Sequence, residues 1–317
     1  MTPLITRILV ATDFSSSASR ALEYALVLAR SWAAELHVLH VLEWYPGMDP
    51  DHPVNRMYLS ERRKEADQQF IGIKEQAGAT NISFHAQTAV GVPSEQIEQV
   101  ATALSVDIIV AGTHGRTGLA HVLLGSTAER IVRMASCPVL VVRAQPKETK
   151  PVAPGQAETA VTIRRVLALI DFSACSLDAL EYATHFAKHA GASVTLMHSV
   201  EPVAYNLDFT LGDASRRDKV YWEGRLDVLH AILASNGVTA GSVLRTGRPI
   251  ESVVSFLMEE PHDIVMMGTH GRRGIAHVLT GSVAEATLRF APCPVLTVRK
   301  PPFGPHHQRL VPAGYTE

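Results

Sequence analysis

The chain has 317 residues, with 29 Lys+Arg against 31 Asp+Glu and a formal net charge of −2. That near balance argues against a general electrostatic grip on nucleic acid or on an anionic membrane surface, and 46% apolar with 19% charged residues describes a packed globule and not a disordered chain. No apolar run approaches the ~18 residues of a membrane span, MTPLITRILVATDFS meets Asp13 too early for a signal peptide, and three cysteines without paired spacing fit a reducing cytoplasm and argue against a zinc framework.

Taken in chain order, Ile8–Ala11 is a β-branched and aliphatic run that predicts a first strand. Ser15–Ala33 follows, with serine caps and an apolar face at Ala21, Leu22, Ala25, Leu28 and Ala29, and predicts a helix. Leu36–Leu42 is the next strand, Leu59–Gln76 a polar helix stopped by Gly78, and Ile82–Thr88 a third strand. Pro93–Leu104, Ile108–Ala111, Ser126–Met134 and Pro138–Val142 complete five strands and four helices. Ile108–Val110 and Val139–Val142 are apolar throughout, as parallel strands covered on both faces should be. Alternating strand and helix implies an α/β fold, a parallel sheet between helices.

The same order recurs. A shift of 158 residues lays ILVATDFSSSASRALEYAL, from Ile8, on VLALIDFSACSLDALEYAT, from Val166, and His40 then falls on His198 without a gap. A shift of 156 lays Gly112–Arg143 on Gly268–Arg299 with 22 identities in 32 positions. A period near half the chain means duplicated domains and not a solenoid. The expected organisation is a first domain over 1–145, a linker over 146–162 carrying Pro146, Pro151, Pro154 and Gly155, a second domain over 163–300 and a tail over 301–317. The tail, PPFGPHHQRLVPAGYTE, has little core-forming periodicity and is expected to be mobile or draped over the surface.

After the fourth strand of each half comes a glycine-rich segment of spacing G-x2-G-x9-G-S: Gly112, Gly115, Gly125 and Ser126 in the first, Gly268, Gly271, Gly281 and Ser282 in the second. Glycines let backbone approach a phosphate closely and adopt positive φ. The Gly-Ser pair opens a helix whose free N–H groups and positive dipole end favour an anion, and its serine can cap the helix or donate to a phosphate oxygen. The competing reading is a tight strand-to-helix turn without ligand; two copies at one spacing favour the phosphate site.

With these residues in view, the sequence resembles the universal stress protein family in its tandem two-domain form, over nearly the whole chain apart from linker and tail. The resemblance rests on the opening strand with Asp13 or Asp171, the G-x2-G-x9-G-S motif and the closing SCPVLVVR and PCPVLTVR segments. It implies two open five-stranded parallel sheets of order 3-2-1-4-5, whose first and fourth strands end side by side at a topological switch point. In the ATP-binding branch the glycine motif holds phosphates and ribose, the aspartate after strand 1 lines the nucleoside pocket, and a small apolar residue ending strand 2 lies against adenine. Carried over, these are Thr12, Asp13, Val41, Gly112, Gly115, Gly125, Ser126 and Thr127, and in the second half Asp171, Gly268, Gly271, Gly281, Ser282 and Val283. The implied ligand is ATP, or ADP or AMP, with Mg²⁺ accompanying the nucleotide. Ser199 stands where Val41 does and Ile170 where Thr12 does, so nucleotide is expected in the first site more than in the second. The resemblance further implies that the halves pair through Val139–Val142 and Val295–Val298 as an intramolecular pseudo-dimer, which removes two apolar sheet edges; a homodimer beyond that is compatible.

Other residues read more plainly. Asp13 and Asp171 can cap the next helix as well as meet a ligand, and Ser15 and Ser173 are equally good caps. His114, His121, His270 and His277 read as turn and surface residues copied by the duplication ahead of a metal site, and His306-His307 has no supporting ligand. Cys137 and Cys293 precede a proline at the last strand, a usual place for a small buried residue. Trp222, Tyr221 and Leu226 are expected to pack the amphipathic helix of the second half. Three functions compete: a cytoplasmic stress-response protein whose conformation or assembly is set by ATP, a slow ATPase or nucleotidyl transferase, and a ligand-free interaction module. Neither GSTAER nor GSVAEA supplies the lysine of a Walker A loop, and no carboxylate pair marks a phosphoryl-transfer site. At most weak ATP hydrolysis is expected. Arg116 and Arg272 can touch phosphate, but charge alone does not make a catalyst.

Overall fold

A computed structural model describes residues 3–44, 47, 49, 52–78, 82–113, 124–143, 161–201, 211–270, 281–299, 303, 309–312 and 315, with backbone only for 211–217. The chain divides into two compact units, Met1–Thr162 and Ile163–Glu317. In the first, β1 (Arg7–Thr12), α1 (Ser16–Trp32), β2 (Glu35–Glu43), α2 (Pro53–Gly78), β3 (Phe84–Gly91), α3 (Pro93–Leu104), β4 (Ile108–Gly112), α4 (Ser126–Met134) and β5 (Val139–Val142) follow one another. Its strands lie in the order β3-β2-β1-β4-β5, each pair parallel. From β1 the chain steps to β2 and β3 on one side, then crosses to β4 and β5 on the other. Right-handed crossovers therefore put α1 and α2 on one face and α3 and α4 on the other.

The second unit repeats this with β6 (Arg165–Leu169), α5 (Ala174–Ala190), β7 (Ser193–Val200), α6 (Leu211–Ser235), β8 (Ala240–Thr246), α7 (Pro249–Glu259), β9 (Ile264–Gly268), α8 (Ser282–Phe290) and β10 (Val295–Val298). Its order is β8-β7-β6-β9-β10, again all parallel. The fold is α/β, two tandem open parallel sheets of five strands with helices on both faces.

Packing follows the hydrophobic pattern. Ala21, Leu22, Ala25, Leu28 and Ala29 of α1 are all buried, and Ile108–Val110 of β4 and Val139–Val142 of β5 are buried along their length, as their uninterrupted apolar runs suggest. Two boundaries differ from expectation. Helix α2 starts at Pro53 and not Leu59, because proline suits a helix's first turn; and it runs through Gly78. Strand β3 starts at Phe84 and extends to Gly91. In α6, Leu226 is buried but Tyr221 is 51% exposed, so Trp222 and Leu226 make the packing face without it. Among the described residues, no helix is long and apolar enough to cross a membrane.

One close contact positions the site. A Cβ at Gly112 would lie 2.7 Å from Ser17 Oγ and 2.8 Å from the Ser17 carbonyl carbon, in the first turn of α1. A Cβ at Gly268 would lie 2.8 Å from both the backbone carbon and Sγ of Cys175, in the first turn of α5. These glycines let a helix start press against the end of the fourth strand of its unit. Beyond the phosphate role that the motif implies, both glycines have a packing role.

Candidate functional site

Strands β1 and β4 run in register, Ala11 beside Ala111, so Thr12-Asp13 and Gly112-Thr113 leave the sheet at the same edge. In the second unit Ala168 pairs with Met266, and Ile170-Asp171 and Gly268-Thr269 leave together. Each edge is a point where the strand order reverses, and crevices open there in α/β sheets.

The turn after β1 is built by its own polar groups. The Ser15 N–H donates to Asp13 Oδ1 at 3.1 Å, and the Phe14 N–H donates to Thr12 Oγ1 at 3.0 Å. Phe14 sits at φ +61° and Phe172 at φ +62°, a left-handed conformation that a bulky residue adopts only when its surroundings over-determine it. Ser15 caps α1 by accepting from the Ala18 N–H at 3.3 Å, and Ser173 caps α5 by accepting from Ser176 at 3.2 Å. The serines are the caps; the aspartates hold the turn. In the second unit Asp171 Oδ1 accepts from both the Ser173 N–H, at 3.0 Å, and the Ser173 hydroxyl, at 2.6 Å.

Beneath each turn lies a buried histidine. His40 Nδ1 donates to the Thr12 carbonyl at 2.7 Å, and His198 Nδ1 donates to the Ile170 carbonyl at 2.7 Å. The Phe14 ring lies 4.6 Å from the His40 ring and 5.6 Å from Phe70. The two histidines align in the sequence, which by itself implies no role for them. Their exact superposition under the 158-residue shift was the available signal.

The glycine-rich loop leaves and returns through a narrow neck. In the first unit the Thr113 N–H donates to the Val142 carbonyl at 2.9 Å, and the Gly125 N–H donates to the Thr113 carbonyl at 2.6 Å. Thr269–Val298 at 3.2 Å and Gly281–Thr269 at 2.8 Å repeat it. Both threonines are buried. The loop bodies, with Gly115, Arg116, His114 and His121 in one and Gly271, Arg272 and His277 in the other, lie outside the described residues. His270 is described, with Nδ1 2.8 Å from Thr269 Oγ1.

The helices that follow begin differently from α1 and α5. Gly125 and Gly281 are the N-caps of α4 and α8, in extended conformation and without a side-chain cap. The first-turn N–H groups of a helix need an acceptor, and here no side chain of the cap supplies one. Ser126 and Ser282 occupy the first helical position and are exposed; Thr127 and Val283 come second and are half-buried. The serines do not cap, which leaves their hydroxyls beside the helix start. First-turn Glu129 and Glu285 turn away to Arg133, at 3.6 Å, and Arg289, at 2.8 Å.

On β2, Val41 is half-buried and pairs with Ala89. Its counterpart Ser199 donates its hydroxyl to the Gly247 carbonyl at 3.1 Å. The Cys137 and Cys293 thiols are pushed up to about 12 by burial, which keeps them protonated and inert. Among the described residues, no group of three or more His, Cys, Asp or Glu side chains lies close enough to hold a metal ion.

Comparison with known proteins places this geometry in a family. The model of the "Universal stress protein family" matches residues 5–143 and again 162–299. Universal stress protein MJ0531 of Methanocaldococcus jannaschii is 34% identical over 146 residues, 46% of this chain and 86% of its own length. Universal stress protein Mb2028c of Mycobacterium bovis is 28% identical over 236 residues, covering 72% of this chain and 73% of its own. The crystal structure of a universal stress protein from Archaeoglobus fulgidus superposes with a TM-score of 0.68 at 21% identity, over 94% of this chain and 99% of that one, a likeness of fold.

Proposed function

The chain belongs to the universal stress protein family, and from that premise we propose that it binds an adenine nucleotide, ATP foremost, at the crevices beside Asp13 and Asp171. It acts as a nucleotide-dependent regulatory or protective protein in stress response. One observation carries the reading: the glycine N-caps of α4 and α8, without a side-chain acceptor, each stand at the neck of a loop that opens from the switch point. A helix start of that kind fits a phosphate group. The N–H groups of Ser126 and Thr127, and of Ser282 and Val283, would meet the phosphates, with the exposed serine hydroxyls as further donors. Asp13 and Asp171 border the nucleoside side, together with Thr12 and with Val41. Mg²⁺ would enter with the triphosphate.

A binding role fits better than catalysis. The carboxylates of Asp13 and Asp171 take part in their turns, and the hydroxyl of Thr12 is engaged by Phe14. ATP turnover, read as phosphate release, should therefore stay near the level of a binding-deficient control.

The test is Gly125→Asp, paired with Gly281→Asp. Aspartate is a better N-cap than glycine by a few tenths of a kcal/mol, and the extended backbone at both positions accepts it. Folding is thereby kept or improved while a negative charge takes the place offered to phosphate. Charged hydrogen bonds are worth roughly 1.5–3 kcal/mol each, so ATP should weaken by ~10-fold or more in calorimetric titration. Unchanged affinity in the double variant would remove nucleotide from these helix starts.

A further inference from the structure

The nucleotide reading leaves the C-terminal tail without a part, yet its described residues are seated on the second unit. The Phe303 ring lies 5.4 Å from His185, Arg309 pairs with Asp178 at 2.7 Å, and the Leu310 N–H points to Glu181 Oε1 at 3.4 Å. Asp178, Glu181 and His185 recur along one face of α5 at helical spacing. Val311 is buried. The Tyr315 hydroxyl donates to the Arg225 carbonyl at 2.7 Å, and the Arg225 guanidinium donates back to the Tyr315 carbonyl. These described tail residues make specific contacts with α5 and α6.

What the tail covers is the back of the Asp171 turn. The Arg225 guanidinium lies against two rings, 4.2 Å from the centroid of Phe172 and 4.8 Å from that of Tyr315, and the rings are themselves 6.3 Å apart. Trp222 stacks on Phe172 at 5.3 Å. Phe172 is 0% exposed, although it follows Asp171 in a left-handed conformation. In the first unit the hydroxyl of Thr12 holds the Phe14 N–H; Ile170 has no hydroxyl to do the same. The tail is also matched to one unit. Position 178 is aspartate, an acceptor for Arg309, whereas its counterpart under the 158-residue shift is Arg20.

We propose that the described tail residues 309–312 and 315 act as a strap that holds the Asp171 turn, so that tail docking and occupancy of the second crevice are coupled. Docked, it clamps Phe172 through Arg225 and keeps Asp171 presented at the crevice. Undocked, the ring keeps Trp222 and His198 but loses Tyr315 and the bonds by which Tyr315 fixes Arg225, and the strained turn loosens. A ligand that needs the formed turn then favours the docked tail, and by linkage the tail favours the ligand by the same factor. The ligand arm rests on the nucleotide reading; the turn arm does not.

The experiment uses the full chain with Arg309→Ala plus Tyr315→Ala, and separately Asp178→Ala, which removes the acceptor of Arg309 from the helix side. Amide exchange at residues 171–176 should accelerate by ~10-fold or more in both variants, with residues 13–18 and the strands of the second unit unchanged. Equal acceleration throughout the second unit would mean general destabilisation, and no acceleration would mean an idle tail; either overturns the strap. In the second arm, trypsin cleavage after Arg309 should slow at least ~3-fold with saturating ATP, and Gly281→Asp should abolish that protection. If titration shows ATP in the second crevice while cleavage is indifferent to it, the coupling is overturned. If titration shows no ATP at either crevice, the nucleotide reading falls, and amide exchange decides the strap by itself.

Discussion

Gly112 and His37 show how much a single residue settles in this fold. Gly112→Ala would push a Cβ to 2.8 Å from backbone of α1, and backbone cannot rotate aside as a side-chain tip can. The loss should be about 1–3 kcal/mol in urea unfolding, the usual cost of overpacking, and Gly268→Ala should behave alike against Cys175. A loss under about 0.5 kcal/mol from both would show that the helix starts can retreat. His37 makes a pH prediction. Burial lowers its pKa from 6.5, against the pull of the Glu35 carboxylate and with help from His85 and Arg7; the His85 ring stacks on it at 4.9 Å. The folded chain thus prefers His37 neutral, while the unfolded chain protonates it near 6.5. Its contribution is present above that pH and is lost as pH falls below it toward the lowered folded value. His37→Gln should therefore lose less stability than wild type between pH 7.5 and ~5.5, read as urea midpoints. Parallel declines would assign the pH dependence elsewhere.

At the scale of elements, duplication makes each half a control for the other. Helix α1 ends on Ala33 at φ +51° and α5 ends on Gly191 at φ +64°, both left-handed. Alanine is disfavoured there and glycine is not. Ala33→Gly should stabilise the chain by roughly 0.5–1 kcal/mol, and Gly191→Ala should destabilise it similarly, since a Cβ at Gly191 meets nothing within 4 Å and only its φ matters. Thermal unfolding of the two variants, shifting in the same direction, would refute this. The same comparison explains what the sequence could and could not reveal. Helices α1 and α3 and the buried strands are legible because a serine cap, a first-turn proline and unbroken apolar runs are local signals. The start of α2 was not: Val54, Met57 and Tyr58 in its first turns are all exposed, so no buried face marks them. The site was legible as motif and opaque as mechanism. Gly125 and Gly281 stand out in the spacing, but that Gly112 serves α1, that His40 holds Thr12, and that Tyr315 reaches Phe172 depend on contacts across 90 residues or more or between packed strands. Periodicity carries no trace of these.

For the molecule as a whole, the question is whether two like crevices do equal work. Both units share the pinned loop neck and the glycine-capped helix without a side-chain acceptor. They part at the nucleoside side. Thr12 and Val41 become Ile170 and Ser199, and the Ser199 hydroxyl is drawn to the Gly247 carbonyl, which puts a polar, internally bonded group where an apolar one would meet a base. If nucleotide binds as proposed, phosphate contacts common to both units would give a similar charge-assisted gain, whereas an apolar face against a base would add a term that only the first unit offers. Burying a methyl-sized group is worth about 0.8 kcal/mol and a valine-sized one about 1.5 kcal/mol or more, so the first crevice should bind ATP ~4- to 10-fold or more tightly than the second. Titrating wild type, Gly125→Asp and Gly281→Asp with ATP would read both sites in turn, since each variant weakens one by ~10-fold or more. The tighter phase should vanish with Gly125→Asp and survive in Gly281→Asp. Equal affinities for the two remaining sites would show that phosphate contacts dominate and that Ile170 and Ser199 are tolerated. A tighter second site would reverse the assignment and point to the Asp171 turn, with its added bond from the Ser173 hydroxyl, as the stronger element of recognition.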